Sequence, residues 1–317
     1  MGYDLHHGNA FQVLEEEYDE NSIHAVVTDP PYGVVEFETA NVEKMREGKG
    51  GVWRIPPELD GNKRKPLPRF TVLSDSDKEK LRNFFKTFGE AVERVLRPGG
   101  HMFVATTQLL MHEVSKQLDE AGLERRDVLV RKTKTLRGGD RPKGAHERYD
   151  MVSSMPRVYW EPWLLYRKPL DGRLQDTLDT WQTGGLRRES EERPFTDLLE
   201  DGKTPKAETE IVKNAHPDPD DAEAHPNLKP QYLMRELCHA ALPLQKGVIL
   251  DPFMGSGSTI AAVHALEYNA IGIELDDTFF NMAENAIPNL AEVDTPVETR
   301  GDFAQQGDDS ASLTDFS

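Results

Sequence analysis

Residues 247–274 constrain this chain more than any other stretch. Gly247-Val-Ile-Leu is a short apolar run, and Asp251-Pro-Phe-Met-Gly255-Ser-Gly257-Ser-Thr259 is a glycine-bearing turn. A helical stretch follows from about Thr259 to Leu266, then the run Ala270-Ile-Gly-Ile, which stops on Glu274. Two short strands joined through a helix become parallel neighbours, and such crossovers are right-handed. A chain containing this unit is committed to an α/β sheet.

The rest of the sequence repeats the alternation. Tyr3-Asp-Leu-His-His reads as a strand followed by a helix over 11–17, and Ala25-Val-Val-Thr reads as a buried strand rich in β-branched residues. Apolar residues at Leu81, Phe84, Phe85, Phe88, Val92 and Val95 predict a helix over 77–96, which Arg97-Pro-Gly-Gly ends. His101–Ala105 is a third strand, 112–121 a helix closed by Gly122, and Asp127-Val-Leu-Val starts a fourth strand. Residues 158–166 read as a strand interrupted by Pro162, and 228–242 as a helix. Short strands alternating with helices predict a mostly parallel sheet with helices on both faces. The second half of 171–224 is Asp, Glu, Pro and Lys with little to fill a core.

The turn at 251–259 has several readings. It could be a plain strand-to-helix connection. A phosphate loop is less apt, because the Lys that precedes Ser/Thr in such loops is missing. Helix amino termini offer unpaired N–H groups to an anion. An acid at the end of the next strand, Glu274, stands where nucleoside-binding folds grip ribose hydroxyls. Glycine loop and ribose acid together point to a ligand with a ribose and a charged tail.

Composition narrows the class. The chain has 317 residues, enough for one large core, and 38 Lys+Arg against 56 Asp+Glu give a formal charge of −18. That sum repels polyanions, so any nucleic-acid contact must rest on local basic clusters. The single Cys238 lies in a helical run and reads as a buried thiol. With no long apolar stretch and no signal-peptide pattern, a soluble cytoplasmic protein is expected, and the acidity suits a high-salt cytoplasm. No metal site is expected.

One stretch remains, Asp29-Pro-Pro-Tyr32, directly after the strand Ala25–Thr28. Followed much later by Lys229-Pro230 and the 251–259 loop, it resembles the S-adenosylmethionine-dependent DNA amino-methyltransferases of the DPPY type, in the permuted order of the β class. The resemblance spans about 3–35, 80–170 and 225–285. It implies a Rossmann-like class I methyltransferase fold with a seven-stranded, mostly parallel sheet and circularly permuted motifs. It also implies S-adenosyl-L-methionine as cofactor and double-stranded DNA as substrate. A cognate restriction endonuclease, as in restriction-modification systems, and a homodimer are partners that such relatives suggest; no membrane is involved.

The resemblance assigns catalysis to Asp29, Pro30, Pro31 and Tyr32. An exocyclic amine is a poor nucleophile because its lone pair is delocalised into the ring. A carboxylate and the Pro30 carbonyl accepting its two N–H groups would turn that lone pair towards the methyl donor, while Tyr32 stacks on a flipped-out base. Proline suits a carbonyl that must hold its direction. Cofactor binding falls to Asn9, Ala10, Asp29, Lys229, Asp251, Phe253, Gly255, Ser256, Gly257, Ser258, Thr259, Glu274 and Leu275. Asn9 stands where many relatives have Asp, and Asn227-Leu228 where many have Thr-Gln. Glu161-Pro-Trp-Leu-Leu-Tyr-Arg-Lys-Pro resembles a late core strand with a structural role.

The basic clusters 44–70 and 125–148 follow strands, and we expect them to grip DNA phosphates through Lys63, Arg64, Lys65, Lys132, Lys134, Arg137, Arg141 and Lys143. The expected organisation is a catalytic half at 1–170 with a basic insertion at 36–70 and an irregular target-recognition segment at 171–224. A cofactor half at 225–290 and an acidic mobile tail at 291–317 complete it. An Asp at the head of the tetrapeptide favours adenine N6 as the methyl acceptor, and cytosine N4 is the alternative. A non-catalytic nucleic-acid- or nucleoside-binding protein with a degenerate core is the rival from another class.

Overall fold

The computed structural model describes residues 2–31, 75–133, 148–149, 151–152, 156, 159–200, 204–217 and 228–295. Strands are β1 (Tyr3–His7), β2 (Ile23–Thr28), β3 (Leu96–Ala105), β4 (Glu124–Lys132), β5 (Trp160–Arg167), β6 (Leu198–Glu200), β7 (Val248–Asp251) and β8 (Asn269–Glu274). They form one sheet in the order β1-β8-β7-β2-β3-β5-β4-β6. Every pairing is parallel except those of β5, which runs antiparallel to both β3 and β4. The expected α/β architecture is therefore present, with eight strands among the described residues instead of seven.

Alternation along each strand sends side chains to two separate cores. Ala25, Val27, Phe103, Ala105, Leu129, Trp163, Leu165 and Ile249 share one face. That face is covered by α5 (Lys206–Asn214), α6 (Gln231–Ala241), α7 (Ser258–Ala265) and α8 (Asp277–Ala291). Val26, Met102, Val104, Leu164, Tyr166 and Leu250 face α1 (Ala10–Glu17), α2 (Asp75–Val95) and α3 (Met111–Glu120). α4 (Leu174–Trp181) packs beside β3. β2 is buried at all six positions, as expected of a central strand in a sheet covered on both sides.

Three expectations need correction. β5 runs through Pro162 without a break; proline lacks only a donor, and its carbonyl accepts from Thr106 N at 3.0 Å. The segment 171–224 is not merely irregular, since it supplies α4, β6 and α5, and Leu199 and Val212 lie in the core. The start of the expected mobile tail is tied down: Thr295 is buried and its hydroxyl accepts from Arg235 Nη1 at 3.1 Å. Residues 296–317 and the insertion 36–70 lie outside the described residues.

Candidate active site

The strand order reverses between β7 and β2, and a crevice at the carboxyl ends of strands flanking such a switch is where open α/β sheets bind ligands. β7 ends on Asp251 and β2 runs out into Asp29. The two halves of the chain are joined there by a side-chain bond, Thr28 Oγ1 donating to Asp251 Oδ1 at 2.7 Å. Asp251 is almost fully buried and also accepts from Phe253 N at 3.1 Å and from the Thr259 side chain. Burial raises its pKa from 3.8 to about 6, against the pull of those hydrogen bonds.

A solvent-open pocket of about 340 Å³ lies over this junction. Asp29, Lys229, Asp251, Phe253, Gly255, Ser256, Ser258 and Thr259 line it, with Leu228, Met234 and Met254. Eight of the expected site residues, drawn from both ends of the sequence, thus meet on one cavity. Pro30 is buried and Pro31 is exposed; Tyr32 lies outside the described residues.

The glycine loop is held from below. Glu274 accepts from Gly255 N at 2.9 Å and from Asp276 N at 2.8 Å. Burial raises its pKa, and these backbone donors oppose the rise. Gly257 has φ +87°, and a Cβ there would sit 2.5 Å from Ile287 Cγ1 of α8. Its glycine requirement therefore comes from helix packing as well as from any ligand. Asn9, Ala10, Glu274 and Leu275 do not line the pocket itself. The Asn9 side chain caps α1 by accepting from Phe11 N at 2.9 Å, and Gly8 N donates to Glu274 O at 2.9 Å, which places this corner beside the loop. Leu275 is exposed there.

Lys229 has a different partner from the one expected of a cofactor ligand. Its Nζ lies 2.5 Å from Asp29 Oδ2 and 3.3 Å from Glu161 Oε1, with only 4 % of the side chain exposed. Glu161 Oε2 in turn accepts from Arg131 Nη1 at 2.8 Å. Sequence reasoning missed Glu161. The available signal was strand parity, since Glu161 is in phase with Trp163 and Leu165 and therefore points at the helix layer that carries Lys229.

The basic cluster 125–148 is split by the fold. Arg125 and Arg126 sit at the start of β4, the end away from the pocket, whereas Lys132 closes the strand on the pocket side. Arg131 turns inward to Glu161 and is not available as a phosphate ligand. Lys63, Arg64, Lys65, Lys134, Arg137, Arg141 and Lys143 lie outside the described residues.

The donor set fits a nucleoside bearing a cation: acids at two strand ends, a glycine turn, apolar Phe253 and Met254, and a single, already paired lysine. The model of the N6/N4 methyltransferase family, described as DNA methylase, matches residues 23–285. The chain belongs to that family. It is a DNA methyltransferase, and its cofactor is S-adenosyl-L-methionine. The Type II methyltransferase M.HindIII of Haemophilus influenzae is 24 % identical over 302 residues, covering 88 % of this chain and 94 % of that protein. Among solved structures, the protein TTHA0409 of Thermus thermophilus complexed with S-adenosyl-L-methionine superposes with TM-score 0.55 at 20 % identity, covering 92 % and 97 % of the two chains. The cytosine-N4-specific PvuII DNA methyltransferase gives TM-score 0.58 at 14 % identity, covering 94 % and 89 %. No helix among the described residues is long and apolar enough to cross a membrane.

Proposed function

We propose that this methyltransferase is of the permuted DPPY type and modifies the exocyclic N6 of an adenine flipped out of double-stranded DNA. The observation that carries the reading is the meeting of Asp29 and the 251–259 loop on one pocket at the switch point. The acidic head of Asp29-Pro-Pro-Tyr32 is the feature that favours adenine over cytosine.

When bound, S-adenosylmethionine supplies a methyl group on a positively charged sulfur as the electrophile. Phe253, Gly255, Ser256, Ser258 and Thr259 form its bed, and Glu274 keeps the loop in shape through Gly255 N. Asp29 accepts one amine N–H and the Pro30 carbonyl accepts the other, which draws the nitrogen towards a tetrahedral shape and localises its lone pair. As the N–C bond forms and the S–C bond breaks, the nitrogen becomes cationic, and the nearby Asp29 carboxylate stabilises that charge until the extra proton passes to solvent. Extruding the base costs a few kcal/mol, which stacking on Tyr32 helps to offset. Lys132 at the pocket-side end of β4 fits a phosphate contact beside the site, in company with the clusters at 63–65 and 134–143. The segment 171–224 contributes target recognition. The partner that such an activity pairs with is a restriction endonuclease of the same recognition sequence, and the protein works in the cytoplasm as a homodimer.

The test is to incubate the protein with labelled S-adenosylmethionine and unmethylated bacterial chromosomal DNA, then hydrolyse and identify the nucleoside. N6-methyl-2′-deoxyadenosine is the expected product; N4-methyl-2′-deoxycytidine overturns the base assignment. Asp29→Asn is expected to lower the transfer rate on the order of 10²-fold or more, as for loss of one hydrogen-bonding group at a reacting centre. Full activity in that variant would remove Asp29 from the mechanism.

A further inference from the structure

Among the described residues, Asp29 stands in a run of four alternating charges. Asp29 Oδ2 to Lys229 Nζ is 2.5 Å, Lys229 Nζ to Glu161 Oε1 is 3.3 Å, and Glu161 Oε2 to Arg131 Nη1 is 2.8 Å. Each residue comes from a different element: the end of β2, the segment entering α6, β5 and β4. Arg131 and Glu161 stand opposite each other in the β4–β5 register. Both are in phase with the apolar core face of their strands, Leu129 on one and Trp163 on the other. All four side chains are at most 18 % exposed.

Three strand or loop positions that could have held apolar side chains are thus given to charges. Burying an ion pair is commonly no more stabilising than packing hydrophobic groups in its place. Stability alone is therefore a poor reason for Glu161. Its geometry gives a better one: each carboxylate oxygen is spent on one cation, so Glu161 decides how far Lys229 is drawn from Asp29, and Arg131 decides how strongly Glu161 draws it.

We infer that Glu161 and Arg131 are positioning residues of methyl transfer, which act through Lys229 to set the basicity and direction of the Asp29 carboxylate. The inference rests on Asp29 being the amine acceptor. With all four charges present the group sums to zero. Glu161→Gln leaves it at +1, so Asp29 holds its negative charge more firmly and becomes a weaker acceptor. Arg131→Met leaves it at −1, with Lys229 drawn to Glu161, so Asp29 takes up a proton more readily. The two single changes therefore act in opposite directions, and together they cancel. Asp251 on β7 interacts electrostatically with Asp29, and Glu208 on α5 accepts from Gln231 N, two residues after Lys229; neither is altered in these variants. The ionised state of Glu161 fits this picture, since Lys229 and Arg131 hold its carboxyl below the usual range despite burial.

The experiment measures single-turnover methyl transfer to unmethylated chromosomal DNA against pH. Four variants are compared with the wild type: Glu161→Gln, Arg131→Met, the double variant, and Arg131→Lys, which keeps the charge. The acid limb of the profile should move down by roughly one pH unit in Glu161→Gln and up by a similar amount in Arg131→Met. It should return in the double variant and stay in place in Arg131→Lys. Transfer at the plateau should fall on the order of tenfold in Glu161→Gln, while affinity for S-adenosylmethionine stays within about twofold. Limbs that move in the same direction, or that do not move while stability falls, overturn the inference and leave the run a structural ion cluster. In parallel, the Asp29 carboxyl is titrated by isotope-edited infrared spectroscopy in the DNA-free protein, its band assigned with Asp29→Asn. That titration should show the same opposed shifts, and it decides the inference even if the wild type methylates no DNA, an outcome that would count against the proposed function instead. If Glu161→Gln does not fold, Arg131→Met against Arg131→Lys decides: equal profiles overturn the inference.

Discussion

Replacing Gly257 by alanine separates two reasons for a glycine in the cofactor loop. The residue has φ +87°, and an added Cβ would stand 2.5 Å from Ile287 Cγ1, 2.8 Å from Ile287 Cδ1 and 3.3 Å from Ala283 Cβ. Carbon atoms pack best at about 3.5–4.0 Å, so the overlap with Ile287 is about 1 Å. A left-handed conformation costs an alanine about 1–2 kcal/mol, and overpacking of this kind adds about 1–3 kcal/mol. Gly257→Ala should therefore lose about 2–5 kcal/mol. Gly122→Ala is the matched control: its φ is +93°, and nothing lies within 4 Å of the added carbon. It should lose only the backbone part. Urea unfolding at neutral pH measures both, and calorimetric titration with S-adenosylmethionine should show roughly tenfold weaker binding for Gly257→Ala alone, because the loop must shift to relieve the clash. Equal losses of stability in the two variants, with cofactor affinity unchanged, would refute the claim that α8 pins the loop.

Glu274→Gln should weaken S-adenosylmethionine binding at least tenfold, because an amide cannot accept from both Gly255 N and Asp276 N, and a buried donor left unpaired costs about 1–3 kcal/mol; titration calorimetry checks it. Asp251 is expected to make the fold less stable as pH rises. Its folded pKa of about 6 exceeds the ordinary 3.8, so the stability it contributes is full below about pH 4 and is lost as pH climbs through 6. Asp251→Asn lacks this titration, so its stability relative to wild type should improve by on the order of 2 kcal/mol between pH 4.5 and 7.5, measured by urea unfolding. Arg235→Met should cost about 1–3 kcal/mol and expose the segment after α8 to limited proteolysis, because Arg235 ties Thr295 Oγ1 at 3.1 Å and Ala291 O at 2.9 Å.

Much of the sheet is legible in the sequence. β1 matches its expected span, and β2, β7 and β8, each a short apolar run between polar stops, fall within two residues of theirs. What escaped has polar anchors. α5 has only Ile211 and Val212 to bury, and it is fastened by the buried carboxylate of Glu208, which accepts from Gln231 N at 2.9 Å. No hydrophobic period marks such a helix. β6 is three residues long and needs only β4 as a template. α8 was obscured by Pro288 within it and by the acidic residues that follow. At the site, Glu274 was legible from its place at a strand end, whereas Asp29 and Asp251 were assigned through the resemblance. The link from Lys229 to Glu161 was not legible, because ion pairs across distant elements leave no local pattern.

The neighbours of β2 are made at very different times. β3 begins at Leu96, well before β7, which pairs with the other edge of β2 and begins only at Val248. At 5–20 residues per second, a ribosome needs on the order of ten to forty seconds to travel from β2 to β7. Throughout that interval a strand buried at all six of its positions in the fold has a bare edge, a template for pairing with another nascent chain. The stretch that finally covers it is the one that carries Asp251 and the glycine loop. Capping the exposed edge and gaining the cofactor site are thus a single event in the life of the chain, and a polypeptide that stalls before Val248 is at once inactive and adhesive.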